Sequence, residues 1–199
     1  MGLRELTRGD IEAAAGLLGR GMRDNPLNVR VFGPDPEHRR KALTSMFAPV
    51  LGQYLGRGAV LGAFDAGGLV GVCGMLAPGR CQPSFAEKLR LLPGLLVAAG
   101  PVSAARLAAW TAAWARLDPK TPHWHLVTVA ADADRRGQGI GTAMLEAFCG
   151  RMEAGRADAW LETDKPENTG FYRRFGFEVA TEQSVLGIPN WFMARRAGG

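Results

Sequence analysis

Val129-Ala130-Ala131-Asp132-Ala133-Asp134-Arg135-Arg136-Gly137-Gln138-Gly139-Ile140-Gly141-Thr142 is the stretch on which the fold turns. It opens in the apolar, branched run His123 to Ala131, whose length and composition predict a strand. It closes in a helix carrying Ile140, Met144, Leu145, Phe148 and Met152 on one face. Between the two, glycines stand at 137, 139 and 141. They leave backbone N–H groups unblocked by side chains, in front of a helix N-terminus that carries roughly half a positive charge. A strand, a glycine loop and a helix in that order form an anion cradle, and Arg135 and Arg136 set two whole charges beside it. A pyrophosphate is the natural guest.

The spacing narrows which pyrophosphate. A dinucleotide fingerprint would need glycine three residues after Gly141, where Met144 stands, and a P-loop would need Gly-Lys-Ser or Gly-Lys-Thr, which is absent. What remains is RxxGxG, from Arg136 through Gly139 to Gly141. Downstream runs Leu161-Glu162-Thr163-Asp164-Lys165-Pro166-Glu167-Asn168-Thr169-Gly170-Phe171-Tyr172-Arg173-Arg174-Phe175-Gly176-Phe177, with an Asn, then an aromatic-Tyr pair ahead of Gly-Phe. With both segments the sequence resembles the GNAT superfamily of acyl-CoA-dependent N-acetyltransferases. The element order is similar over nearly the whole chain, and the sharp motifs cover residues 124 to 178. The Asn-to-Tyr spacing, the long helical segment before the glycine loop and the Pro119-to-Trp124 approach look most like the branch containing puromycin N-acetyltransferase. Ala133 stands where that branch commonly has Pro.

The resemblance implies an α/β GNAT fold, a mixed, mostly antiparallel, splayed sheet with helices on both faces. It implies one domain over 1–199, in which 78–122 forms a helical cover over the acceptor site. The expected activity is transfer of an acetyl group from acetyl-CoA to an amine, by direct attack in a ternary complex. On this reading the strand end Val129, Ala130 and Ala131 pairs with the pantetheine arm, and one of its N–H groups stabilises the oxyanion. Arg136, Gly137, Gln138, Gly139, Ile140, Gly141 and Thr142 hold the pyrophosphate. Asn168 hydrogen-bonds the pantetheine, and Tyr172 sits next to the sulfur. By analogy with the puromycin branch the acceptor is a small-molecule amine. Two alternatives stay open: acetylation of a protein N-terminus or lysine, and an acyl-CoA sensor without catalysis. A shallow open groove would mark the first alternative, and a closed pocket under 78–122 the small-molecule enzyme. A homodimer also stays open.

The chemistry asks for acid–base groups. An amine of pKa near 10.4 is neutral in only about one part in a few thousand at pH 7, equivalent to roughly 4 to 5 kcal/mol, whereas an amine of pKa about 8 needs only ~1 kcal/mol of help. Glu162, on the strand beside the glycine-loop strand, is the candidate base, ahead of His125 and His123. Tyr172 is the candidate acid. Donation from a phenol of pKa about 10 to a thiolate of about 8.5 is uphill by roughly 2 kcal/mol, so it needs help from the surroundings. Asp24-Asn25-Pro26, where the first helices meet, borders the acceptor pocket in this superfamily.

The rest of the sequence is consistent with a single globular enzyme. The 199 residues carry 24 Lys and Arg against 19 Asp and Glu, a charge of +5, with hydrophobic residues at 47%. That composition argues against disorder. The basic residues are scattered with no run of five or more, which argues against nucleic acid. Leu91 to Ala105 is interrupted by Pro93, Gly94, Gly100 and Pro101 and is too short for a membrane helix. MGLRELTRGD shows no secretory pattern, and a cytoplasmic location is expected. Cys73, Cys81 and Cys149 lack CxxC spacing, and His38, His123 and His125 make no recognisable pattern with them, so neither disulfides nor a metal is expected.

Periodicity and breakers predict a strand at Leu3 to Leu6, a helix from Ile11 ending at Asp24-Asn25-Pro26, and a helix from Glu37 to Leu55. A hairpin of Ala59 to Phe64 and Leu69 to Leu76 follows, then helical pieces broken at Pro93 and Pro101. After the glycine-loop helix come a strand (Ala157 to Thr163), a short helix (Thr169 to Arg174) and strands at Phe177 to Val185 and Trp191 to Arg195.

Overall fold

The structure is a computed structural model that describes residues 1–135 and 137–198. Arg136, expected at the pyrophosphate, lies outside the described residues.

Seven strands form one sheet: β1 (Gly2–Glu5), β2 (Gly58–Asp65), β3 (Gly68–Leu76), β4 (Trp124–Ala131), β5 (Ala159–Thr163), β6 (Glu178–Val185) and β7 (Ile188–Arg195). Their order is β1-β2-β3-β4-β5-β7-β6. Every neighbouring pair is antiparallel except β4 and β5, which run parallel. The helices are α1 (Ile11–Gly21), α2 (Pro26–Phe32), α3 (Pro36–Arg57), α4 (Phe85–Leu117), α5 (Ile140–Ala154) and α6 (Pro166–Arg173). This is the expected α/β GNAT architecture, with α1 and α3 against one face and α5 against the other. Phe148, Met144 and Leu145 of α5 fill the core on its side, and Leu17, Leu18, Leu43 and Leu51 fill the core under α1 and α3.

The local rules that start the helices are visible. Asp10 Oδ2 accepts from the Thr7 amide at 2.8 Å, in a turn that leads directly into α1. Asp35 caps α3 through the Glu37 amide. Ser84 and Glu87 close a capping box ahead of α4.

Two expectations are corrected. The helix from Ile11 does stop ahead of Pro26, at Gly21, but Pro26 also opens a helix that the sequence reading lacks: it occupies the first turn of α2, where its missing N–H costs nothing. The amide of the next residue, Leu27, donates to Asp164 Oδ2 at 2.7 Å, so a carboxylate from the far end of β5 caps this helix. The 78–122 segment breaks once, at Gly100 (φ 76, ψ 170), just ahead of Pro101. Pro93 is carried inside the first arm of α4 and does not interrupt it. Those Gly100 angles belong to a region that only glycine enters readily, so α4 is two arms hinged at one residue.

Two irregularities open the middle of the sheet. β4 and β5 pair only at Trp124–Ala159, His125–Trp160 and Leu126–Leu161, although both strands continue beyond. On its other side β4 carries a bulge: Met75 pairs with Leu126 but Gly74 with Thr128, leaving Val127 extra. The bulge reverses the strand's alternation. Leu126 packs in the α5-side core, whereas Thr128 Oγ1 lies 3.1 Å from Met22 Sδ at the end of α1.

Candidate active site

The splay between β4 and β5 holds a small cleft of about 60 Å³. Its walls are Val127, Thr128 and Val129 of β4, Glu162 and Thr163 of β5 with the following Asp164, and Asn168 and Tyr172 of α6. Met22, Asn25 and Asn28 close it from the α1–α2 side, and Trp110 and Trp114 of α4 close it from above.

Beyond Leu126 the β5-facing edge of β4 has no strand partner. The Asp132 amide bonds the Val70 carbonyl, so by the two-residue alternation of an antiparallel pair Ala130 also directs its backbone groups to β3. Val129 and Ala131 therefore turn theirs to the open side. Of the three strand-end residues expected to meet a ligand, two present backbone groups to the cleft, a ready template for an extended chain to pair with.

At the far end of β4, Gly137 and Gly139 adopt positive φ (78° each), and Gly139 is the N-cap of α5. No side chain caps α5 and no acidic residue stands in its first turn, so the amides of Ile140, Gly141 and Thr142 remain available to an anion. Gln138 and Gly139 are exposed. Arg135 is already engaged, pairing with Asp65 at 2.5 Å and reaching Gln138 Oε1 at 3.4 Å. These residues fit a pyrophosphate-bearing thioester with an extended arm.

Glu162 is held on both oxygens. Oε1 accepts from Trp160 Nε1 at 2.9 Å, and Oε2 accepts from His125 Nε2 at 2.8 Å. The side chain is 2% exposed. No arginine takes part in this arrangement among the described residues. Burial opposes the charge on His125, but Glu162, Asp118 and Cys81 outweigh it and push the imidazole well above its ordinary range. Asn168 Nδ2 donates to Thr163 Oγ1 at 3.1 Å, which sets its amide at the cleft wall. Tyr172 packs its ring against Phe171 and Phe177, and burial pushes its phenol up, with Cys73 and Asp164 adding to the rise.

Sequence reasoning did not find Asn28, Trp110 or Asp164 as cleft residues. Asn28 Oδ1 and Trp110 Nε1 are buried without hydrogen-bond partners among the described residues. Asp24 points elsewhere, to Arg23 and Arg39. Beside the cleft, Cys81, Asp118, His123 and His125 gather at the start of β4. His123 is buried against its charge, yet Asp118, Cys81 and the Thr121 carbonyl push it up to about 10. Burial raises Asp118, but His123, His125 and Gln82 outweigh that and hold it well below the carboxylate range.

The sheet splays between its two parallel neighbours, with a bulged strand and an uncapped glycine-led helix at the mouth of the opening. Residues 56–177 match the model of the acetyltransferase (GNAT) family, and the chain belongs to that family. The family implies acetyl-CoA as the donor. Among solved structures, one described as histone acetyltransferase HPA2 and related acetyltransferase from Corynebacterium glutamicum is 25% identical, with TM-score 0.76, over 99% of this chain and 96% of that one. The PaiA N-acetyltransferase of Thermoplasma acidophilum in complex with coenzyme A is 12% identical, with TM-score 0.62, over 98% of each chain. The ribosomal-protein-S18-alanine N-acetyltransferase of Escherichia coli is 15% identical, with TM-score 0.58, over 100% of this chain and 94% of that one. No helix among the described residues is long and apolar enough to cross a membrane.

Proposed function

We propose that this acetyltransferase acts on the amine of a small polar molecule, with Glu162 as base and Tyr172 as acid. The observation that carries the reading is the roof. Trp110 and Trp114 stand edge to face at 5.1 Å over the cleft, and Trp114 is pinned to β7 by its Nε1 bond to Asn190 Oδ1 and by Phe192. A walled cleft suits a small guest better than a peptide, which needs an open groove along which its chain can run. The fold alone does not choose, since the E. coli relative acts on a ribosomal protein. The likeness to the puromycin branch points the same way as the roof.

Asn28 Oδ1 and Trp110 Nε1 add an unpartnered acceptor and an unpartnered donor inside the wall. Buried groups of this kind favour a guest that carries an N–H and an oxygen of its own. Bound acetyl-CoA supplies the acetyl group as a thioester. Gly137 to Thr142 hold its pyrophosphate, Val129 and Ala131 pair with its arm, and Asn168 adds one hydrogen bond. An open-side N–H of β4 beyond the bulge polarises the carbonyl. Glu162 accepts the proton lost by the attacking amine, directly or through a water, and Tyr172 gives a proton to the departing sulfur.

The test is acetyl-CoA with a panel of arylalkylamines, polyamines, amino sugars and peptides bearing a free N-terminus or lysine, read as thiol release. The expected result is a small amine with kcat/KM at least ~100-fold above every peptide, a separation worth about 3 kcal/mol of transition-state binding. A peptide at the head of the panel overturns the acceptor assignment. Binding of acetyl-CoA with no amine acetylated favours a sensor.

A further inference from the structure

We propose that Cys81, Asp118, His123 and His125 bind one divalent zinc-class cation at the foot of the α4 cover. The sequence predicted no metal because the four residues span positions 81 to 125 with no recognised spacing, and only the fold brings them together.

Three observations carry the assignment. The first is a meeting of buried donor atoms. Asp118 Oδ1, His123 Nε2 and His125 Nδ1 are all buried, and among the described residues their only neighbours of opposite character are one another, in contacts too poorly aligned to count as hydrogen bonds. His123 is 3% exposed and His125 8%. Asp118 Oδ1 lies 3.2 Å from His123 Nε2 and 3.3 Å from His125 Nδ1. Donor atoms of a tetrahedral zinc site with bonds of about 2.0–2.1 Å stand about 3.3–3.4 Å apart along each edge. Cys81 supplies a fourth donor, its sulfur within 4.8 Å of a ring nitrogen of each histidine. A thiolate–nitrogen edge measures about 3.6 Å, so a shift on the order of 1 Å brings the sulfur to bonding range of the same ion.

The second observation is the hydrogen bonding behind each donor. His123 Nδ1 donates to the Thr121 carbonyl at 2.8 Å, which leaves the lone pair of the neutral ring on Nε2. His125 Nε2 donates to Glu162 at 2.8 Å, which leaves its lone pair on Nδ1. The other oxygen of Asp118 accepts from Gln82 Nε2 at 2.8 Å. Outer bonds of this kind fix the tautomer and orientation of metal ligands.

The third is charge and ligand type. One thiolate and one carboxylate neutralise a divalent ion, and thiolate with imidazole selects zinc over magnesium or calcium. Without a metal, Asp118 Oδ1 faces two imidazoles whose centroids lie 5.7 Å apart. On binding, the Cys81 thiol proton and any proton on the metal-facing nitrogens leave to solvent, and four dative bonds replace them.

Position assigns the role. Cys81 precedes the first arm of α4 and Asp118 is the C-cap of its second, while both histidines begin β4. One ion therefore ties both feet of the cover to the strand that forms the cleft floor, and it stands behind Glu162 without entering the cleft. The test uses full-length protein purified anaerobically without chelator, with no acetyl-CoA or amine present, so its outcome is independent of the acetyl-transfer reading. Elemental analysis is expected to find one zinc per chain. Cobalt replacement is expected to give the intense visible bands of tetrahedral Co²⁺ with a thiolate charge-transfer band. Cys81→Ser is expected to abolish that band and weaken binding at least ~100-fold, while His38→Gln and Cys149→Ala leave both unchanged. If Cys81→Ser fails to fold, the wild-type cobalt spectrum decides: weak octahedral bands, or no stoichiometric uptake of zinc or cobalt, overturns the site.

Discussion

Replacing Tyr172 by Phe separates chemistry from structure. The ring stays, with its edge contacts to Phe171 at 5.4 Å and Phe177 at 6.2 Å, and only the hydroxyl goes. That hydroxyl makes no hydrogen bond to the described residues, so its removal deletes a desolvated polar atom without orphaning a partner, and stability should change by less than about 1 kcal/mol. The catalytic effect is larger. An ordinary phenol is a poorer acid than a thiol by about 1.5 units, roughly 2 kcal/mol against donation. Burial pushes the Tyr172 phenol further up, but the same walls desolvate a departing thiolate, so the two rises offset. With general acids contributing about 10²- to 10⁴-fold, the uphill transfer places Tyr172 at the lower end, a loss of about 100-fold in kcat, or ~2.7 kcal/mol. The assay is thiol release at saturating amine, with a thermal melt of both proteins. KM for acetyl-CoA should stay within about threefold, because the hydroxyl acts on the leaving sulfur and not on the pyrophosphate. A kcat within threefold of wild type, with unchanged melting, refutes the acid assignment. A loss confined to KM refutes it as well.

Glu162→Gln should cost about 10²- to 10⁴-fold in kcat/KM at pH 7 for an amine of pKa near 10.4 but under about tenfold for one near 8; equal losses for both amines would remove Glu162 from proton transfer. Trp110→Ala should raise KM for the acceptor about tenfold or more and leave KM for acetyl-CoA unchanged, since the indole lines the cleft from α4, opposite the glycine loop's helix in the fold. Gly139→Ala meets open space but forces alanine to φ 78, costing about 1–2 kcal/mol, and it should weaken acetyl-CoA binding more than acceptor binding. Alkaline pH gives a check on the core. Burial pushes the Cys73 thiol up to about 12, so the folded state keeps a proton that the unfolded chain loses from about pH 9 upward. Stability should therefore fall between about pH 9 and 12, by up to ~1.4 kcal/mol per unit for this group, and Cys73→Ala should flatten that limb in urea titrations.

The parts of the fold written as local pattern were legible. The strand, glycine loop and helix around 129 to 142 form as the residues dictate, because branched residues, positive-φ glycines and an amphipathic face all act within a few positions. The hairpin of β2 and β3 closes for the same reason, with Gly68 at φ 115 in its turn. What failed depended on distance. Pro26 starts a helix because a carboxylate at 164 supplies the cap that Asn25 does not, and no window around Pro26 contains that information. The bulge at Val127 is a property of register against β3, invisible in β4 alone, yet it turns Thr128 toward Met22 and leaves Val127 at the cleft wall.

The residues proposed to hold the donor lie on units legible in the sequence, whereas the other wall of the cleft was hidden, and the reason is the path of α4. Gly137 to Thr142, Asn168 and Tyr172 sit on short local units, so their pattern survives in sequence. The acceptor wall is assembled from Met22, Asn28, Trp110 and Trp114, which meet only because α4 folds at Gly100 and returns over α2. That return couples the wall to Glu162. Trp110 and Trp114 pack in the small core that contains Trp160, and the Trp160 indole holds Glu162 Oε1. Asp118 ends the same helix and stands against His125, which holds Oε2. The roof proposed to select the acceptor and the carboxylate proposed to deprotonate it thus share one frame. A substitution that widens the roof by displacing α4 should loosen both tethers of Glu162 together, so broadened acceptor range should come with lower kcat for basic amines.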